Sequence, residues 1–331
     1  MSELEKKAAL GTPIVIKKFK DPDWTAKGDM RAFVPLTKLE TLWINTGTLC
    51  NIECVNCYIE SSPTNDRLSY ISANAVANYL DEIKRDKLGT KEIGFTGGEP
   101  FMNPDFLTML EDALKRGFDV LILTNAMKPM QRPKAKQKLL ELHARYNKQI
   151  ALRVSLDHYT RELHDKERGA DAFDKALIGL NWLSEHGFTL NIAGRTMWHE
   201  AEDIERQGYG DLIKAQNWKI DAQDPMQLIL FPEMDEKTDV PEITTACWGI
   251  LGIRPDAMMC ATSRMVVKRR GADKAQLVPC TLIAYEENFE MGSSLSEAAT
   301  TNGGMFANGA VKLCHPHCAK FCVLGGGSCT V

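Results

Sequence analysis

Ten residues, Leu49 to Tyr58 in the order LCNIECVNCY, hold the most reactive side chains of this sequence. Cys50, Cys54 and Cys57 form a C-x3-C-x2-C array. Three thiolates on a short loop can hold three irons of a cubane [4Fe-4S] cluster, whereas a structural cubane takes four cysteines. One iron is then left for a ligand from elsewhere. Cysteines at short spacing also make tetrahedral zinc sites, but such a site wants its fourth ligand close by, and none follows Cys57 at a usual distance. Forty residues beyond Cys57 stands Gly97-Gly98-Glu99-Pro100. Its glycines let the backbone turn and approach a ligand with no Cβ in the way; taken alone, the four residues also read as a β-turn.

The elements that must position these residues follow a regular order. Short apolar strands alternate with longer amphipathic segments, the pattern of repeated strand-helix units and a parallel sheet. Strands are expected at Glu40 to Asn45, Glu92 to Thr96, Asp119 to Thr124, Ile150 to Ser155, Thr189 to Ala193 and Gln227 to Phe231. Between them lie helices capped by Ser72, running from Asp105 to Arg116, from Lys134 to Arg145, from an Asp171 cap to His186, and from about Glu200. Six units are too few for a closed eight-stranded barrel. The expected fold is α/β, an open partial (β/α)6 barrel, or partial TIM barrel, with a C-terminal cysteine-rich auxiliary-cluster extension. In parallel strand-helix folds the site lies at the C-terminal strand ends. The cysteine loop, the Gly97-Gly98 loop, Asn125, Ser155 to Asp157 and Arg195 all fall there.

The 331 residues divide into an N-terminal arm (1–35), the partial barrel (36–235) and the cysteine-rich extension (236–331). A net charge of -4 predicts no general attraction to nucleic acid. No apolar run reaches signal-peptide or membrane-span length, so a cytoplasmic protein with no membrane partner is expected. In that compartment its ten cysteines read better as metal ligands than as disulfides. They cluster unevenly: none occurs in the 189 residues between Cys57 and Cys247.

The cysteine array followed by Gly97-Gly98-Glu99-Pro100 resembles the radical S-adenosylmethionine (SAM) superfamily. That resemblance implies a [4Fe-4S] cluster on Cys50, Cys54 and Cys57 whose open iron is chelated by SAM, with reductive cleavage to a 5'-deoxyadenosyl radical. By the same resemblance, Gly97, Gly98 and Glu99 serve the SAM amino group and Ser155 meets the ribose. Arg195 is suited to the SAM carboxylate, with an internal salt bridge as its other reading. Asn125 seats SAM or substrate, or satisfies the end of its strand. The stretch SLDHYTRELHDKERG is similar to one found in the branch of the family with extra clusters. The family's usual aromatic residue before the third cysteine is replaced by Asn56, leaving Tyr58 as the aromatic available to adenine.

Cys247, Cys260, Cys280, Cys314, Cys318, Cys322 and Cys329 resemble the SPASM or twitch extension, although the closing spacings depart from its usual order. This implies one or two auxiliary [4Fe-4S] clusters. His315 and His317 lie within the array. Among polar residues near strand ends, Asp157 and His199 are the leading acid-base candidates, with His158 and His164 beside them. The expected partner is a low-potential donor such as flavodoxin or ferredoxin. Two substrate classes compete: a small polar metabolite or cofactor precursor, oxidised or rearranged, and a ribosomal peptide, oxidised or crosslinked. Peptide-modifying members often begin with a leader-binding domain larger than the 49 residues that precede Cys50, which favours the small molecule. A non-catalytic iron-sulfur electron carrier is the third reading; it would need neither the Gly97-Gly98 loop nor Arg195.

Overall fold

A computed structural model describes residues 17–232 and 239–325. Its centre is an eight-stranded sheet. The strands are β2 (Thr41–Asn45), β3 (Glu92–Thr96), β4 (Asp119–Thr124), β5 (Ile150–Ser155), β6 (Thr189–Arg195), β7 (Leu228–Phe231), β8 (Ser263–Val267) and β9 (Gln276–Val278). Their spatial order is β7-β6-β5-β4-β3-β2-β8-β9, and the run from β2 to β7 is parallel throughout. Consecutive strands lie side by side because each returns through a helical crossover. Every residue of β2 is buried, as expected for a strand covered on both faces. The fold is therefore the expected partial (β/α) barrel.

The helices show why these segments fold as they do. In α1 (Ala73–Arg85) the Ser72 side chain accepts a hydrogen bond from the Ala75 amide, and Val76, Tyr79, Leu80 and Ile83 bury one face. α2 (Phe106–Lys115) buries Phe106, Met109, Leu110, Ala113 and Leu114 on the sheet. α3 (Pro133–Tyr146) buries Ala135, Leu139 and Leu142.

Two features depart from the periodicity. A helix α4 (Arg161–Arg168) intervenes before α5 (Ala172–Glu185), although its sequence RELHDKER offers a single aliphatic residue. His164 and Glu167 are its buried side chains, so polar partners rather than an apolar stripe hold it in place. Asp171 is not the side-chain cap of α5: it adopts φ +60° and makes no capping bond. Asp165 does that work from α4, its carboxylate accepting from the Phe173 amide at 2.7 Å.

The C-terminal region does not stand apart from the sheet. β8 pairs in parallel with β2 on the side opposite β3, and β9 adds antiparallel to β8. Near the N-terminus, β1 (Phe33–Val34) pairs with Ala310–Lys312, tying both ends of the described chain together. α6 (Glu202–Ala215) crosses from β6 towards β7.

Candidate active site

The strand ends enclose a cleft, open to solvent, lined by Cys50, Cys54 and Cys57 together with Gly97, Gly98, Asn125, Ser155, Asp157 and Arg195. Tyr58 lines it too, whereas His199 is exposed and is not among the lining residues. Leu282 and Phe321 of the C-terminal region close one side, where Phe321 stacks on Phe231 at the end of β7 with centroids 5.6 Å apart.

The cysteine loop is held from several directions. Cys50 donates its amide to the Ser62 carbonyl at 3.0 Å, and Cys57 Sγ accepts from the Ser61 amide at 3.3 Å. Asn56, where an aromatic was expected, is clamped by α4: its amide and its Nδ2 donate to the two Glu167 oxygens at 2.7 and 2.8 Å. The departure from the family pattern thus fixes the loop to a helix that periodicity does not reveal.

The Gly97-Gly98 turn packs directly against that loop. Gly97 has φ +144°, and a Cβ there would stand 2.5 Å from the Gly47 carbonyl oxygen. A Cβ on Gly98 would lie 2.6 Å from the Leu49 carbonyl carbon. Glu99 is buried, and its carboxylate accepts from Thr124 Oγ1, the Asn125 amide and the Phe101 amide. Burial pushes its carboxyl up to about 7, against the lowering effect of those bonds. Glu99 therefore organises the end of β4 from behind the cleft. Asn125 donates through Nδ2 to Asn51 Oδ1 at 3.0 Å, with Cys50 Sγ at 3.8 Å.

Asp157 and Arg168 form a buried bidentate pair, Nε to Oδ2 at 2.6 Å and Nη2 to Oδ1 at 2.9 Å. Burial alone would raise the Asp157 carboxyl, but the Arg168 guanidinium, with Arg195 and His164 behind it, holds it below the usual range. Asp157 is thus a fixed anion with both oxygens engaged. Its amide donates to His164 Nδ1 at 3.1 Å, and burial pushes His164 down to about 4. His158 is buried as well, bonded to Thr160 at 2.8 Å with Glu200 at 3.6 Å. Arg195 differs from Arg168: its Nε and Nη2 are buried in the cleft wall and make no hydrogen bond. A planar guanidinium with two unused donors is suited to a carboxylate.

Burial pushes the Cys50 thiol up to about 12 and Cys54 up to about 11, against the lowering effect of Arg168 on both. Among the described residues no three His, Cys, Asp or Glu side chains converge on the point a single metal ion would occupy. All three cysteines line the cleft, and in a cluster each thiolate binds its own iron. With the orphaned Arg195 donors and a glycine turn that no Cβ could replace, these residues fit a [4Fe-4S] cluster and SAM.

Residues 44–206 match the Radical SAM superfamily model. The chain carries a radical SAM domain. Over 163 residues it is 31% identical to the antilisterial bacteriocin subtilosin biosynthesis protein AlbA of Bacillus subtilis, covering 48% of this chain and 34% of that protein. The mycofactocin maturase MftC of Mycolicibacterium smegmatis is 30% identical over 140 residues, 42% of this chain and 33% of its own. The chain thus spans about a third of the length of these curated relatives. Among solved structures, Streptococcus suis SuiB bound to precursor peptide SuiA superposes with a TM-score of 0.56 at 15% identity, over 80% of this chain and 63% of that one, a likeness of fold.

The late cysteines fall into two groups. Cys260, Cys280, Cys314 and Cys318 are buried; Cys247 and Cys322 are half-buried, and Cys329 lies outside the described residues. Burial, and after it the charges of Cys280 and Cys260, push the Cys318 thiol up, and Cys314 Sγ donates to the Asp21 carbonyl at 3.3 Å. Burial pushes His315 down to about 3 and His317 to about 4. This region is consistent with an extension that binds an auxiliary cluster.

Sequence reasoning passed over Arg168 and Glu167, both lining the cleft. The signal was present: both belong to the quoted KERG run, but no spacing distinguished them from an exposed charged helix.

Proposed function

We propose that this protein is a radical SAM oxidoreductase that modifies a peptide. Cys50, Cys54 and Cys57 would hold the cluster, and Arg195 would take the SAM carboxylate beside the Gly97-Gly98 turn. When bound, cluster and SAM supply a carbon-centred radical by one-electron reduction, with flavodoxin or ferredoxin as donor. The chain's own part is to seat SAM and substrate, exclude water behind Leu282 and Phe321, and hold Arg168 charged through Asp157. The extension, residues 236–331, would carry at least one auxiliary cluster beside the substrate end of the barrel.

One observation carries the reading: the three cysteines and the unpartnered Arg195 nitrogens line one cleft. A peptide substrate replaces the small polar metabolite as the leading reading, because the relatives that match over 163 and 140 residues include a bacteriocin-biosynthesis protein and a mycofactocin maturase. The electron-carrier reading lacks any use for the Gly97-Gly98 turn and the Arg195 donors.

The test is anaerobic incubation with SAM, dithionite and short peptides encoded beside the gene. Expected are 5'-deoxyadenosine, abolished by Cys50→Ala/Cys54→Ala/Cys57→Ala, and a peptide product lighter by one hydrogen pair. No 5'-deoxyadenosine from reconstituted protein would refute the radical reading. Its formation with transfer of deuterium from labelled metabolites but from no peptide would restore the small molecule.

A further inference from the structure

Beside the cysteine loop the chain gathers positive charge that the fold leaves unpaired. The stretch Lys128 to Lys138, KPMQRPKAKQK, holds five cations and no carboxylate, in a chain whose net charge is -4. Two of the five are engaged: Lys136 lies over the Trp182 ring at 4.8 Å, and Lys138 pairs with Glu111 at 2.8 Å. Lys128, Arg132 and Lys134 are exposed, and among the described residues no carboxylate pairs with them. Met127 fixes where this ridge stands. Its amide donates to Asn125 Oδ1 at 3.0 Å, Asn125 Nδ2 donates to Asn51 Oδ1 at 3.0 Å, and Asn51 Nδ2 contacts Met127 Sδ at 3.9 Å. Asn51 follows Cys50 in the chain and Lys128 follows Met127, so a closed ring of contacts joins a cluster-binding cysteine to the first cation of the ridge. Gln131 holds the ridge on the barrel, its Nε2 donating to the Ala126 and Lys175 carbonyls at 2.7 and 3.0 Å. Cys50 lines the cleft, whereas Met127 and the three exposed cations do not. The ridge therefore stands outside the cleft, behind the loop that carries Cys50. A substrate must enter the cleft, but a partner that only passes an electron need not. Val55, 74% exposed between Cys54 and Asn56, offers such a partner an apolar contact on the loop itself. The loop's one carboxylate, Glu53, is exposed and opposes three cations.

We propose that Lys128, Arg132 and Lys134 form the docking face for an acidic one-electron donor protein, which delivers its electron through the Cys50-Asn51 segment. The assignment rests on the reading that Cys50, Cys54 and Cys57 hold a [4Fe-4S] cluster. One electron leaves the donor and one enters the cluster; no bond forms or breaks. Facing charges of opposite sign steer encounter and raise association rates about 10- to 1,000-fold, an effect that salt removes.

The experiment uses the full chain, reconstituted anaerobically and given SAM with one of two reductants: dithionite in excess, which needs no docking face, or reduced flavodoxin as the acidic donor. Lys128→Glu/Arg132→Glu/Lys134→Glu is compared with the parent and with Lys148→Glu/Lys214→Glu/Lys219→Glu. The latter makes the same change of net charge on exposed cations at the N-terminal ends of the strands, away from the site. With dithionite, both variants should form 5'-deoxyadenosine within about twofold of the parent, because the ridge lies outside the cleft. With flavodoxin at low salt, the rate should fall about 10- to 100-fold for the ridge variant alone. That gap should close at about 1 M salt, where the Debye length is about 3 Å. Binding of flavodoxin to the protein, followed by calorimetry at low salt, should weaken in the same variant. Equal loss with both reductants would mean that the ridge shapes the cysteine loop, and this overturns the proposal. An unchanged flavodoxin rate, an equal fall in the control variant, or a parent that dithionite activates and flavodoxin does not, each overturns it as well. Should the reversed protein fail to fold, Lys128→Gln/Arg132→Gln/Lys134→Gln decides on the same terms, with a fall of about 3- to 10-fold. A ridge variant whose KM for a peptide rises under dithionite would assign the ridge to an acidic peptide and overturn the donor face. A parent that yields no 5'-deoxyadenosine with either reductant would remove the radical reading and this proposal together, whereas the other adverse outcomes leave that reading standing.

Discussion

Gly98→Ala adds one methyl group where two loops of the site touch. Gly98 lacks the positive φ of Gly97, so the effect is one of space alone. The new Cβ would stand 2.6 Å from the Leu49 carbonyl carbon and 2.7 Å from the Thr48 oxygen. Carbon atoms rest at about 3.5 to 4.0 Å, so the loops must part by roughly 1 Å. They are also bonded to each other: the Gly98 amide donates to the Gly47 carbonyl at 2.8 Å and the Glu99 amide to the Leu49 carbonyl at 3.2 Å. Overpacking of this kind costs about 1 to 3 kcal/mol. Leu49 directly precedes Cys50, so the shift passes to a cluster ligand, and a misplacement of about 1 Å can cost about 100-fold in rate. Iron per chain, 5'-deoxyadenosine formation and the unfolding temperature should all fall. Full iron content with an unchanged rate would refute the claim that this close approach sets the ligand geometry.

Two further outcomes follow from the buried charges. Asp157→Asn leaves Arg168 enclosed without its carboxylate and should cost about 3 to 5 kcal/mol in denaturant unfolding, because an uncompensated buried charge remains; a loss below about 1 kcal/mol, the scale of an exposed pair, would show that the pair is not buried in solution. Glu205, fully buried with neither oxygen hydrogen-bonded, is pushed up by burial, then by Glu200 and Glu202, to about 7 from an ordinary 4.5. The folded state therefore holds the proton longer than the unfolded state, so stability falls as pH rises from 4.5 to about 7 and is level above it. Glu205→Gln should remove that dependence and gain up to ~3 kcal/mol above pH 7; equal pH profiles of unfolding temperature for parent and variant would contradict it.

Much of the barrel was legible because each parallel strand is a short apolar run ending in polar residues: β3, β4 and β5 match their expected limits residue for residue. α4 was not legible, since its anchors are Glu167 on Asn56 and His164 on the Asp157 amide, bonds that leave no periodic mark. Nor was the pairing of β8 beside β2, because an edge is chosen by which strand remains open after the others have paired, and the partners are separated by more than 200 residues.

By itself, then, the sequence determined the order of strands and helices and the three-cysteine array, since these depend on local pattern and on residue type at short spacing. Tertiary structure decided which charges neutralise one another. Asp157 became a fixed anion because α4 brought Arg168 to it, and His199 stayed outside the cleft. Arg195 kept two donors free, and Arg264 came to be held by backbone carbonyls instead of carboxylates. A side chain's charge is written in its identity, but whether that charge is spent on the protein or available to a ligand depends on distances that only the folded chain sets.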